Sequence, residues 1–165
     1  MFSAGEVVIY GTQGVCRVKE ISVVKMGATK GEYYILNPVF DSKAVVYVPT
    51  AKPELVAKMR PVLSEAELRQ FLDETDFSRL PWISHDGERK DFCDKVIKGG
   101  DRRELLRLMG MLYAHREELI DQKRHFHNVD AQYLKLAERI IFDELSFVLG
   151  LKSDEVPAFV RSVIE

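Results

Sequence analysis

The chain holds little of what usually announces a chemistry. It has two cysteines and one tryptophan in 165 residues, and its 24 Lys and Arg nearly balance its 26 Asp and Glu. Cys16 and Cys93 lie far apart and share no redox or metal spacing, which suits a reducing cytosol rather than a disulfide framework. No apolar run approaches the roughly 18–20 residues needed to span a bilayer. Met1 to Glu6 offers no basic stretch followed by an apolar one, so a secretory leader is not expected and the chain reads as cytoplasmic. Nor is there a G-x-x-x-x-G-K-[ST], a strand-anchored G-x-G-x-x-G, an H-E-x-x-H, a G-x-S-x-G or a C-x-x-C. Gly11 and Gly14 join two strands rather than a strand to a helix, which is hairpin geometry and not a phosphate cradle. The expectation is a protein that is no enzyme and takes no cofactor or metal.

What is present is an ordinary globular composition, 46% apolar and 30% charged, which excludes wholesale disorder. The formal net charge of −2 gives no global basic signature for nucleic acid. Of the three stretches 1–78, 79–127 and 128–165, only 79–127 has a basic excess, with 11 Lys and Arg against 9 Asp and Glu and all four histidines.

Two periodicities divide the chain. Glu6–Tyr10, Val15–Ile21, Ser22–Met26 (continuing the previous strand or opening another), Glu32–Leu36 and Ala44–Pro49 are β-branched, aromatic or alternating. The turns Gly11–Gly14, Gly27–Gly31 and Asp41–Lys43 separate them. Several short strands in so few residues predict a small, bent antiparallel sheet or barrel. Ser22–Met26 and Val45–Val48 are its expected edges, where another protein's sheet could pair, unless a loop of the chain covers them.

Beyond Pro49 the period becomes helical. Ser64-Glu65-Ala66-Glu67 is a capping box ahead of Leu68, Phe71 and Leu72. A second helix is expected over about 86–98, with Phe92, Cys93 and Val96 inward and a stop at Gly99-Gly100. Asp101 opens a third, carrying Leu105, Leu108, Met109, Leu112 and Tyr113. Residues 117–128 are ambiguous, with Asn128 as the N-cap of a helix that runs to Gly150. Ser153 is expected to cap a last helix through about Val163, with Pro157 in its first turn. The fold class is α+β: residues 1–50 a sheet domain, 51–80 a helical linker and 81–165 a compact helical domain.

The candidates for chemistry lie near the junction. Trp82, within Arg79-Leu80-Pro81-Trp82-Ile83-Ser84, either packs a domain seam or serves as a rigid apolar wedge for a DNA base step. Arg89, Lys90, Lys98 and Arg102 either form a solvated helix surface or a cationic patch that grips phosphates without regard to sequence. His115, His125 and His127 are candidate metal ligands, against a reading as loop histidines. Cys93 with His85 is a candidate nucleophilic dyad, against an inert buried thiol.

Taken in order, these residues resemble the CarD/CdnL family of bacterial transcription regulators, whose N-terminal module also occurs in transcription-repair coupling factors. The resemblance lies in Phe2-x-x-Gly5-Glu6-x-Val8-x-Tyr10-x-x-x-Gly14-Val15, in Tyr33-Tyr34-Ile35-Leu36 and most clearly in Val46-Tyr47-Val48-Pro49. It continues through Trp82, Gly99-Gly100-Asp101, Leu112-Tyr113 and Ala137-Glu138 to Glu144-Leu145. It implies a Tudor-like sheet that binds the RNA polymerase β subunit through Lys25, Met26, Val46 and Tyr47. It also implies a helical domain that meets promoter DNA non-specifically through the minor groove, with Trp82 as the wedge beside Arg89, Lys90 and Arg102. Such a protein stabilises the open promoter complex, is associated with the nucleoid through polymerase and is a monomer, a swapped dimer being conceivable. An adaptor on polymerase without DNA contact is the alternative. Two departures stand out: Tyr47 replaces a basic residue of better-known members, and Ile83 to Glu88 separates Trp82 from the first following cations.

Overall fold

The computed structural model describes residues 1–164, and its chain falls into two compact units, Met1–Leu63 and Ser64–Glu165. The first is a five-stranded antiparallel sheet in the order β4-β3-β2-β1-β5. Its strands are β1 (Val7–Tyr10), β2 (Val15–Met26), β3 (Thr29–Pro38), β4 (Val46–Pro49) and β5 (Met59–Pro61), with a single helical turn, α1 (Pro53–Val56), before the last. Ser22–Met26 continues β2 rather than opening a new strand. The β2–β3 hairpin turns at Gly27, whose φ of 61° is the left-handed conformation glycine adopts without penalty.

A register shift between Val18 and Glu20 decides which residues face the core. Val8, Cys16, Val18, Leu36, Val48 and Met59 form a buried cluster with Tyr34. One extra residue in β2 moves the inward set from even to odd positions, so that Ile21 pairs with Tyr34 on the cluster side.

The segment expected as one helical linker, 51–80, is shared between the units. Met59, Arg60 and Pro61 pair with Tyr10, Ile9 and Val8, so β5 completes the sheet and the first unit runs to Leu63. The strand is three residues long, and its conformation comes from its partner rather than from its own periodicity.

The second unit contains α2 (Glu65–Glu74), α3 (Asp86–Gly99), α4 (Arg102–Asp121), α5 (Asn128–Leu149) and α6 (Val156–Ile164). The capping box forms as the sequence suggests: the Glu67 amide donates to Ser64 Oγ at 3.1 Å and the Ser64 amide to Glu67 Oε2 at 2.8 Å. The Ser64 amide, and after it the Ser64 hydroxyl, hold the Glu67 carboxyl below its ordinary value. Gly100 and Gly150 end α3 and α5 at φ of 65° and 68°. His127, not Asn128, occupies the cap position of α5, and α6 begins at Val156 instead of directly after Ser153. The core is centred on α4, where Leu105, Leu106, Leu108, Met109, Met111 and Leu112 are almost wholly buried. Leu134, Ala137, Ile140, Ile141 and Leu145 of α5 bury the matching stripe. Among the described residues no helix is long and apolar enough to cross a membrane.

Candidate functional site

Between α2 and α3, residues 75–85 adopt no helix or strand. A stretch without ladder partners must satisfy its carbonyls elsewhere, and here arginine side chains do so. Arg103 Nε donates to the Asp76 carbonyl at 3.2 Å, Arg107 Nε to the Ser78 carbonyl at 3.1 Å and Arg89 Nη1 to the Ile83 carbonyl at 2.9 Å. His85 then caps α3, its Nδ1 accepting from the Glu88 amide at 3.2 Å.

Trp82 sits on this strap, half-buried. The His115 imidazole from α4 stacks on its indole, with ring centroids 3.5 Å apart and planes 11° from parallel. The Arg89 guanidinium lies over the same indole at 4.6 Å. Phe126 approaches the other member of the stack, its centroid 6.5 Å from that of His115. Arg89 is held from behind: Nε and Nη2 fork onto Asp130 at 2.8 and 3.2 Å, and Nη2 also reaches Asp86 at 2.9 Å. Burial alone would lower the guanidinium's proton affinity, but the bonds to Asp130 and Asp86 outweigh it and hold it above its ordinary value. His115 is shifted the other way. Burial pushes its pKa down against the opposing pull of Glu118 and Asp130. Its Nδ1 is buried without a hydrogen-bond partner, 3.9 Å from Glu118 Oε2.

The expected cationic patch is therefore corrected at two positions. Arg89 is only 7% exposed and bound to Asp130, and Arg102 forks onto the buried Glu144 at 2.6 Å through both Nε and Nη2. Each guanidinium neutralises a carboxylate inside the helical unit and is to that extent less available as a phosphate grip. Lys90 does remain exposed, on the rim of a cleft of about 450 Å³ that His127 and Tyr133 also line. The residues of the two enzymatic alternatives are engaged in other ways. Cys93 is fully buried with its thiol pushed up to about 11 by burial and by Asp130, and His85 is engaged as a helix cap. Among the described residues no three His, Cys, Asp or Glu side chains are grouped to hold a metal, and His115 is occupied with Trp82.

In the sheet unit, β4 is an edge, paired only with β3. The last part of β2 is exposed differently. β1 pairs with β2 only at Val15–Arg17, so among the described residues Glu20–Met26 has β3 on one side and no strand on the other. Lys25, Met26 and Tyr47 are exposed and Val46 half-buried. Cross-strand register puts them on two faces, Val46 on the cluster side with Leu36 and Val18, and Tyr47 opposite with Ile35 and Glu20. Lys25 follows Ile21 and Val23 on the cluster side, and Met26 the other. Tyr47 meets Tyr33 edge-on at 6.3 Å. Val23 at 59% and Val45 at 49% exposure, both within the expected edge segments, add apolar area beside these residues.

No curated protein matched the sequence. Residues 2–63, which are the sheet unit almost to the residue, match the family model of the CarD-like/TRCF RID domain. That family is a protein-interaction module and not a known enzyme family. The match suggests an RNA polymerase-interacting, transcription-related role for the sheet unit, and it is consistent with a CarD-like family member.

Proposed function

We propose that the chain docks on the RNA polymerase β subunit through the open edges of its sheet and stabilises the open promoter complex by wedging Trp82 into the minor groove. The observation that carries the reading is the coincidence of the matched residues 2–63 with one folded unit whose β4 and distal β2 edges are unpaired. Bounded at Leu63, that unit is itself net basic, with 8 Lys and Arg against 5 Asp and Glu, suited to an acidic protein surface. Trp82 supports the second half of the reading. It is kept out of the core on a strap and supported from within its own unit, as an apolar plate for a base step requires. Exposed Lys90 and Lys98 are the remaining cations of the expected patch for phosphate contact.

A wedge that fits only partly opened duplex shifts the closed–open equilibrium by its preference for the open state. About 1.4 kcal/mol of preference is a tenfold change. Trp82→Ala should leave polymerase binding intact and shorten open-complex lifetimes by roughly that factor. Equal lifetimes on several promoters would refute the wedge. In the same preparations, Lys25→Glu should weaken capture of the β lobe, and undiminished capture would move the interface to another edge.

A second reading, an adaptor that never touches DNA, is favoured by the helical unit's charge, 16 Lys and Arg against 21 Asp and Glu. Footprinting of a promoter–polymerase complex with and without the protein separates the two.

A further inference from the structure

The Trp82 site contains more ordering than an apolar contact needs. An indole on an irregular segment would ordinarily sample several rotamers, and fixing it on binding would weaken whatever it binds. Here side chains from three helices hold it, two directly on the ring and one behind them. His115 of α4 covers the ring in parallel at 3.5 Å, and Arg89 of α3 lies over it at 4.6 Å. Asp130 of α5, 2% exposed, receives the Arg89 fork, while Arg89 Nη1 ties the carbonyl of Ile83, the residue after the indole. Asp130 lies 41 residues from Arg89, so this arrangement belongs to the fold and not to a local turn.

We propose that His115, Arg89 and Asp130 are positioning residues that hold Trp82 in one pose before any nucleic acid arrives. This rests on the wedge reading given above and adds how the wedge is made rigid. His115 supplies the flat support, Arg89 fixes both ring and strap, and Asp130 fixes Arg89. The imidazole must be neutral to play this part without repelling Arg89. The groups around it are Glu118 on its own helix, Asp130 on α5, Arg89 on α3 and Arg124 in the loop before α5. Burial, its largest influence, favours the neutral form.

Trp82 is the sole tryptophan, so its emission in the full-length protein reports on the clamp without DNA or polymerase. In the intact clamp, time-resolved anisotropy should show the indole tumbling with the protein. Lowering the pH should quench emission with a midpoint below that of an unperturbed histidine, as a protonated imidazole forms against the ring. His115→Phe should keep the slow tumbling and abolish the midpoint. His115→Ala and Asp130→Asn should release nanosecond local motion. Circular dichroism on each variant confirms folding, and Arg89→Lys, which keeps the charge but loses the fork, serves if Asp130→Asn fails to fold.

On promoters, His115→Ala should shorten open-complex lifetime about two- to tenfold, the cost of ordering one side chain on binding. His115→Phe should stay near wild type. Fast local motion of Trp82 in the wild type, or a pH midpoint surviving in His115→Phe, overturns the clamp. A slow indole combined with lifetimes indifferent to both His115→Ala and Trp82→Ala leaves the clamp standing and overturns the wedge instead.

Discussion

Asp130→Asn is the sharpest perturbation the structure offers, because it removes one charge and almost no volume. Asp130 is 2% exposed and Arg89 is 7% exposed, so the pair lies where water cannot replace a lost partner. Removing one member of such a pair typically costs about 3–5 kcal/mol, most of it the uncompensated charge left behind. Arg89 would not be wholly abandoned. Ile83 keeps its bond to Nη1, and Asp86 still reaches Nη2, although the Asp86 side chain is 86% exposed and its attraction is screened. The amide also keeps one oxygen able to accept. These offsets bring the expected loss to about 2–3 kcal/mol. For a domain near 100 residues that is roughly 10–20 °C in Tm, a large share of its stability.

Urea unfolding followed by Trp82 fluorescence isolates the helical unit, since the sheet unit has no tryptophan. The midpoint should fall with the slope unchanged. A double variant, Arg89→Met with Asp130→Leu, should be less destabilised than Asp130→Asn alone, because no buried charge is then stranded. If Asp130→Asn unfolds within about 0.5 kcal/mol of wild type, the pair is solvated in solution and the electrostatic account of the strap is wrong.

Two further outcomes follow from local geometry. Lys123 has φ of 58° and closes α4, its amide donating to the Ile120 carbonyl at 2.9 Å and that of Arg124 to the Leu119 carbonyl at 2.7 Å. Glycine is the residue this cap prefers, so Lys123→Gly should raise stability by about 0.5–1 kcal/mol, read as a higher midpoint in the same urea assay. Cys93, with its thiol pushed up to about 11, should react with a thiol reagent at pH 8 only as fast as the helical unit opens, so a rate matching an unfolded control would contradict its burial.

The sequence was most legible where a few neighbouring residues decide the outcome. Ser64 with Glu67, Asp101, Gly100 and Gly150 punctuate the helices as their side chains and φ preferences require. Residues 117–121 looked ambiguous because the segment is polar, yet Leu119 is 4% exposed and carries α4 to Asp121. β5 was hidden because three residues hold no period, and only the β1 register makes Met59–Pro61 a strand. The Trp82 site was half legible. Its indole stood out by rarity and position, but its supports come from residues 89, 115 and 130, and nothing local couples them.

The arginines were misassigned for a related reason. Composition counts charges without showing what they neutralise, and an arginine beside a helix start looks the same in sequence whether it faces solvent or a carboxylate 42 residues away, as Arg102 faces Glu144. Arg89, Arg102, Arg103 and Arg107 all donate within the helical unit, to two buried carboxylates and three strap carbonyls among other partners. A unit with 21 acidic residues, and with these guanidinium groups engaged internally, would gather few phosphates on its own. Within the proposed mechanism that weakness is useful. A strongly cationic wedge would be titrated by the genome's non-specific sites. A weakly charged one acts only where the sheet unit holds it, at an effective concentration on the order of millimolar. Under that tether, affinity for DNA matters less than the readiness of the indole, and the same arginines that contribute little to phosphate binding are the ones that fix the strap on which the indole stands.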